Sequence, residues 1–194
     1  MRRNKGIICI ETEWEITEKG NRLPLNSEPL LEFISKSMDV PYIYRRVATI
    51  EELKYYFKKF HEKQYVNNYN IFYFSFHGNT HLISFESGYF LDLPTLADLS
   101  KEENGESIFK DKYVHFGSCR TMHGSETFLK NFIEKTGAKM VSGFTKGVKP
   151  FPSAIHDAAL IKEMLTCSQT RAVINHMNKY YEGLQEELGF RYYY

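Results

Sequence analysis

The chain of 194 residues is poor in cysteine, with three, and in tryptophan, with one, and its net charge is only +1. Cys9, Cys119 and Cys167 are odd in number and lie at wide, unrelated spacings, which excludes a disulfide framework and a zinc-finger ligand pattern. A reducing cytoplasm is the compartment this predicts. Lysine and arginine total 25 against 24 acidic residues, so no excess positive charge favours nucleic acid or an anionic membrane as partner. Long apolar runs are also missing. The stretch Gly6 to Ile10, near the basic start, stops at Glu11 and is too short for a leader core or a membrane span. No Gly-x-Gly-x-x-Gly follows it and no Gly-Lys-Ser/Thr phosphate loop occurs, so no cofactor is expected.

What is present is an ordinary globular composition, 42% hydrophobic and 25% charged, at a length that fits one domain over residues 1–194 without repeats or linkers. "GIICIETEW" reads as a buried strand, and "NSEPLLEFISKSM" as a helix capped by Asn26 or Ser27 with Pro29 in its first turn. "VPYIYRRVAT" predicts a second strand. "TIEELKYYFKKFHEKQ" predicts a helix, because Thr49 and Glu52 make a capping box and Leu53, Tyr56, Phe57 and Phe60 share a face. "YNIFYFSFHGN" predicts a central strand that ends at His77 and Gly78, followed by a hairpin turning at Ser87 and Gly88 and a short helix, "PTLADLS". The charged stretch 101–112 predicts a mobile surface loop and a place for processing. "YVHFGSC" predicts a fourth strand, and "SETFLKNFIEKTGA" a helix capped by Ser125 with Phe128, Leu129, Phe132 and Ile133 facing inward. "KMVSGFTKG" supplies a fifth strand, two amphipathic helices follow, and "GFRYYY" closes as an edge strand. Strands alternating with helices predict an α/β fold whose mainly parallel sheet of about six strands has helices on both faces.

In such sheets, sites form at the carboxyl ends of the strands, and two of those ends carry chemistry here, His77-Gly78 and Gly117-Ser118-Cys119. Parallel neighbouring strands would bring both to one rim. A thiol acts as a nucleophile through its thiolate, and an imidazole supplies the base and then protonates the leaving group. Main-chain N–H groups must also face the developing oxyanion, and Gly78 and Cys119 are the candidates for that hole.

"FYFSFHGN" followed by "YVHFGSC" resembles the caspase-like cysteine peptidases of clan CD, which include caspases, metacaspases, gingipains, separase and the CHAT proteases. The hairpin "HLISFESGYFLDLPTLADL", "CRTMHG" and "KTGAKMVSGFTKGV" are similar to the corresponding steps of CHAT domains, over roughly residues 70–165. The resemblance implies a caspase-like three-layer sandwich with a small β-hairpin after the histidine. It implies a cysteine endopeptidase in which Cys119 is the nucleophile and His77 the general acid and base, acting on a protein or peptide, with an activating partner or a dimer as a possible requirement. Two positions depart from the pattern. Gly117 stands where metacaspases carry an aspartate, and Gly-Ser-Cys stands where caspases have Gln-Ala-Cys, so neither P1 arginine nor P1 aspartate carries over. Ser118, Lys146, Lys149 and Asp157 are the residues expected to shape the substrate pocket.

Two rival readings compete with the dyad. His77 and His81, or His115, Cys119 and His123, have the spacing of metal ligands on a helix, but Gly78 and Gly117 interrupt both sets where the strand pattern is strongest, and no metal is expected. The other is a catalytically inactive interaction module, with Tyr180, Tyr181 and the "FRYYY" tail as its partner face. Cys9 and Cys167 suit plain buried thiols.

Overall fold

The structure, a computed structural model, describes residues 5–13 and 26–194. Trp14, expected at the end of the first strand, lies outside them, as do residues 1–4 of the basic start. The first half of the chain forms β1 (Gly6–Thr12), α1 (Glu28–Met38), β2 (Tyr42–Val47), α2 (Ile50–Phe60), α3 (Lys63–Asn68), β3 (Tyr69–Ser75), β4 (His77–Asn79), β5 (Leu82–Ser84), β6 (Phe90–Asp92) and α4 (Leu93–Leu99). The second half forms β7 (Tyr113–Phe116), α5 (Glu126–Thr136), β8 (Met140–Phe144), α6 (Pro150–Thr166), α7 (Thr170–Leu188) and β9 (Phe190–Tyr193).

Six strands make the main sheet in the order β2-β1-β3-β7-β8-β9, parallel except for β9, which runs antiparallel on β8. The central strands are apolar on both faces because both faces are covered by helices. On one side Ile8, Ile10, Phe72, Phe74, Val114 and Phe116 pack with residues of α2, α4 and α5 such as Phe57, Leu96 and Phe132. On the other, Ile7, Cys9, Ile71, Tyr73 and Met140 pack with residues of α1, α6 and α7 such as Leu31, Leu160 and Val173. This is the three-layer α/β sandwich expected from the sequence. Each fully buried aromatic or aliphatic side chain contributes about 1.5–3 kcal/mol.

Local chemistry starts the helices as anticipated. At α2 the Thr49 hydroxyl accepts the Glu52 N–H at 3.2 Å while the Glu52 carboxylate accepts the Thr49 N–H at 3.1 Å. At α1 the Asn26 side chain accepts the Glu28 N–H at 2.8 Å, and Ser27 turns away to a different partner.

Four expectations are corrected. The third strand ends at Ser75, because Phe76 is drawn into the core; His77–Asn79 belongs instead to the small antiparallel sheet β4-β5-β6. The helix expected to run on through Gln64 breaks at Glu62, whose backbone is extended, and restarts as α3. Phe128 is 46% exposed and stacks on His81 rather than facing the core. The stretch 101–112 is anchored: Ile108 and Phe109 are buried, Phe109 meets Phe57, Phe72 and Phe74 edge-on, and Ser107 hydrogen-bonds Ser100 at 2.6 Å. Lys112 is buried as well and donates to the Val66 carbonyl at 2.6 Å, and burial pushes its ammonium down to about 8. Residues 102–106 and 110–111 are exposed, and the "SIF" run between them supplies the anchor.

Between the sheet and α6, His156 is fully buried against Phe144 and Phe190; its Nδ1 lies 3.6 Å from Asp157 Oδ1, beyond hydrogen-bonding distance, and neither ring nitrogen has a hydrogen-bond partner among the described residues. Burial pushes its imidazole below the ordinary value, so the unfolded chain takes up a proton near pH 6.5 that the folded chain refuses. Stability therefore falls as pH drops from 7 to 5. Urea unfolding at the two pH values should show a smaller loss in His156→Phe than in the wild type; equal losses would show that His156 is not the group responsible.

Candidate active site

The carboxyl ends of β1, β3 and β7 lie side by side. Glu11 pairs in register with Ser75, Phe74 pairs with Phe116, and the Gly117 N–H donates to the Phe74 carbonyl at 2.9 Å. Beyond Gly117 the chain makes a tight turn. Arg120 takes the left-handed conformation, φ 57°, its N–H donates to the Lys146 carbonyl at 3.0 Å, and the Met122 N–H donates to the Phe144 carbonyl at 3.0 Å. These bonds hold the turn against β8 and fix the half-buried Cys119 at the rim. The Cys119 sulfur accepts the Val148 N–H at 3.3 Å and lies 3.9 Å from the Val148 carbonyl oxygen.

Gly78 explains how β4 reaches this turn. A Cβ at that position would lie 2.4 Å from the Cys119 carbonyl oxygen, 2.5 Å from Thr121 Oγ1 and 2.8 Å from Ser118 Cβ. Only hydrogen fits there. The close approach carries the preceding residue, His77, to the same rim, where its exposed imidazole Nε2 pairs with Glu86 Oε2 at 2.8 Å. The Glu86 main-chain N–H is held by Thr12 Oγ1 at 3.0 Å, which ties the hairpin to the end of β1.

His77, Gly78 and Cys119 border one cleft of about 340 Å³, between the amino-terminal ends of α1 and α6. Its other walls are Leu30, Phe76, Val148, Pro150 and Ala154, and Glu11, Ser27, Tyr73 and Ser75 line it too. Glu11 is 1% exposed. Its carboxylate accepts from Ser27 N–H at 3.1 Å, Ser27 Oγ at 2.7 Å, Ser75 Oγ at 2.9 Å and the Tyr44 hydroxyl. Tyr44 is held above the ordinary phenol range by burial and then by Glu11.

The four residues expected to shape the pocket are not among those that line the cleft. Ser118 is fully buried with its hydroxyl unpartnered among the described residues. Lys146 donates to the Glu186 and Glu187 carbonyls at 2.6 and 3.3 Å, where it closes the carboxyl end of α7. Lys149 is exposed at the start of α6. Asp157 is buried behind the cleft and accepts from Tyr73 Oη at 2.8 Å while pairing with His115 Nε2 at 2.8 Å. Burial opposes its ionisation, but His115 and His156 outweigh that and hold the carboxyl well below the usual range. Tyr73 connects this pair to the cleft, and its ring lies 2.8 Å from where a Gly117 Cβ would be, which leaves no room for a side chain at that position.

The metal-ligand spacings read along a helix dissolve, because His77 pairs with Glu86, His81 stacks on Phe128, and His115 is buried while His123 is exposed. Different residues converge instead. His115, His156 and Asp157 meet in the core; Glu163, Cys167 and His176 meet between α6 and α7, with Cys167 Sγ 3.5 Å from Glu163 and 3.6 Å from His176. Cys9 is the plain buried thiol expected, but Cys167 is half-buried in polar company. Glu11 and Glu86 escaped sequence reasoning. Glu11 had a signal, an acid at the carboxyl end of an otherwise apolar central strand, whereas Glu86 looked like any turn residue.

If the Gly78 contact positions the turn, Gly78→Ala should cost about 1–3 kcal/mol through overpacking, read as a lower thermal midpoint, and should change the reactivity of Cys119. An unchanged midpoint would show that β4 does not press on the turn.

No match was found among curated proteins. Among solved structures the chain is similar to the Drosophila initiator caspase Dronc, with a TM-score of 0.60 at 12% identity, covering 100% of this chain and 80% of that one. At that identity the likeness establishes the fold, a caspase-like sandwich, and not the chemistry. Residues 4–194 match a family described only as of unknown function, and the chain is a member of that family, DUF6642.

Proposed function

We propose that the protein is a cysteine peptidase of the caspase-like, CHAT-resembling type that cleaves a protein or peptide with Cys119 and His77. The observation that carries this reading is the docking of Gly78 on the Cys119 turn, which puts an imidazole, a thiol and two candidate oxyanion donors around one cleft. The His77 imidazole moves the proton, and Glu86, paired with its Nε2 at 2.8 Å, is a positioning residue.

The Cys119 thiolate attacks the scissile carbonyl carbon, and the oxygen takes the electron pair, facing the main-chain N–H groups of Gly78 and Cys119. Collapse breaks the C–N bond as the His77 imidazolium protonates the departing amine. Water then attacks the thioester while His77 takes its proton; the acid leaves and the thiolate is restored. The Val148 N–H supports the sulfur's charge at both ends of the cycle.

The test is cleavage itself, read as new peptide amino termini when the purified protein is incubated with a peptide library. Cys119→Ala should abolish it and His77→Ala should lower the rate by about 10²–10⁴-fold. Cys167→Ser should leave it intact. Cleavage that survives Cys119→Ala would refute the assignment. Absence of cleavage in the wild type, with a binding partner captured equally by wild type and Cys119→Ala, would favour the interaction module.

A further inference from the structure

We infer that the cleft receives a cationic side chain of the substrate, lysine or arginine, and that Glu11 selects it; this rests on the reading of Cys119 as a nucleophile toward peptides. A carboxylate buried to 1% exposure normally sits against a cation. The polar partners of Glu11 among the described residues are instead neutral donors, from Ser27, Ser75 and Tyr44. These donors converge on both carboxylate oxygens, and none of them brings a compensating positive charge.

An acidic side chain finds less in the same cleft, where the ring of His77 is already paired with Glu86. None of the lining residues is lysine or arginine. Helix amino-terminal ends could attract an anion through their N–H groups, but both ends here have few of them left to give. At α1 the Ser27 and Glu28 N–H groups are already given to Glu11 and Asn26, and residue 29 is proline. At α6 the first turn contains Pro150 and Pro152, which have no N–H, and the Ser153 N–H goes to the Lys149 carbonyl. Each helix end carries at most about half a positive charge, spread over its terminal groups, whereas Glu11 carries a full negative one focused on two oxygens.

The shape agrees with the charge. Leu30, Tyr73 and Phe76 give apolar contact for a methylene stem, and Glu11 stands where its charged tip would end. Gly117 lines the cleft beside Cys119, with the Tyr73 ring packed where its Cβ would be. The cleft of about 340 Å³ is ample for one long side chain.

The experiment has two arms. In the first, peptidyl acyloxymethyl ketones that differ only in P1, arginine, leucine or aspartate, are reacted with the wild type and Glu11→Gln; Sγ bonds the ketone's methylene carbon and the carboxylate leaves. The expected result is that the arginine probe labels Cys119 at least about tenfold faster than either other probe, and that Glu11→Gln loses this preference. A faster leucine or aspartate probe, or a preference unchanged in Glu11→Gln, would overturn the inference while leaving the peptidase reading intact. Should Glu11→Gln not fold, the wild-type ranking decides alone.

The second arm needs no catalysis. Agmatine should slow iodoacetamide alkylation of Cys119, and a neutral alkylurea of the same length should not. If no ketone reacts, the peptidase reading falls, and agmatine protection then decides the cation site by itself: present, the site stands; absent, it is overturned.

Discussion

The arrangement at the rim depends on one close contact, a glycine hydrogen where any other residue would place carbon 2.4 Å from the Cys119 carbonyl oxygen. β3 and β7 are parallel neighbours, so the sheet brings their ends together, but the sheet alone does not aim the side chains. The chain leaves β3 at Ser75, buries Phe76, and starts a separate small sheet at His77. Only because Gly78 can lie against the Cys119 turn does His77 return to the same rim. The turn is in turn pinned to β8 through Arg120 and Met122, and the hairpin that carries His77 is tied to the turn by the Gly78 contact and by the His81 N–H donating to the Thr121 carbonyl at 3.3 Å.

Around that contact the protein places charge in a layered way. Asp157 and His115 are buried behind Tyr73 and satisfy each other. Glu11 lies at the cleft itself, held by neutral donors. Glu86 pairs with His77 at the rim. The inner carboxylate lies behind the cleft and the outer two at its rim, a division that follows from position and partners rather than from residue type.

Much of this was legible in the sequence. The apolar runs, the Thr49 capping box and the alternation of strand and helix lead to the sandwich, and His-Gly and Gly-Ser-Cys at strand ends point to the rim. What was not legible depends on distance in the chain. Lys146 and Asp157 follow β8 closely and so looked like pocket residues, but one closes α7 and the other faces inward from the second turn of α6. Phe109 is hidden inside a charged stretch because its partners, Phe57, Phe72 and Phe74, lie far upstream. Glu11 meets Ser27 and Ser75, contacts that no local pattern encodes.

The account stands on Cys119 being an activated thiol coupled to His77. The most direct measurement is the rate at which iodoacetamide alkylates each cysteine of the native protein at pH 7, followed by mass spectrometry in the wild type and in His77→Ala. Cys9 and Cys167 are internal references, since burial pushes both thiols up. The account predicts that Cys119 reacts fastest and slows by about tenfold or more when His77 is removed. A Cys119 rate that matches Cys167 and is unchanged in His77→Ala would contradict it.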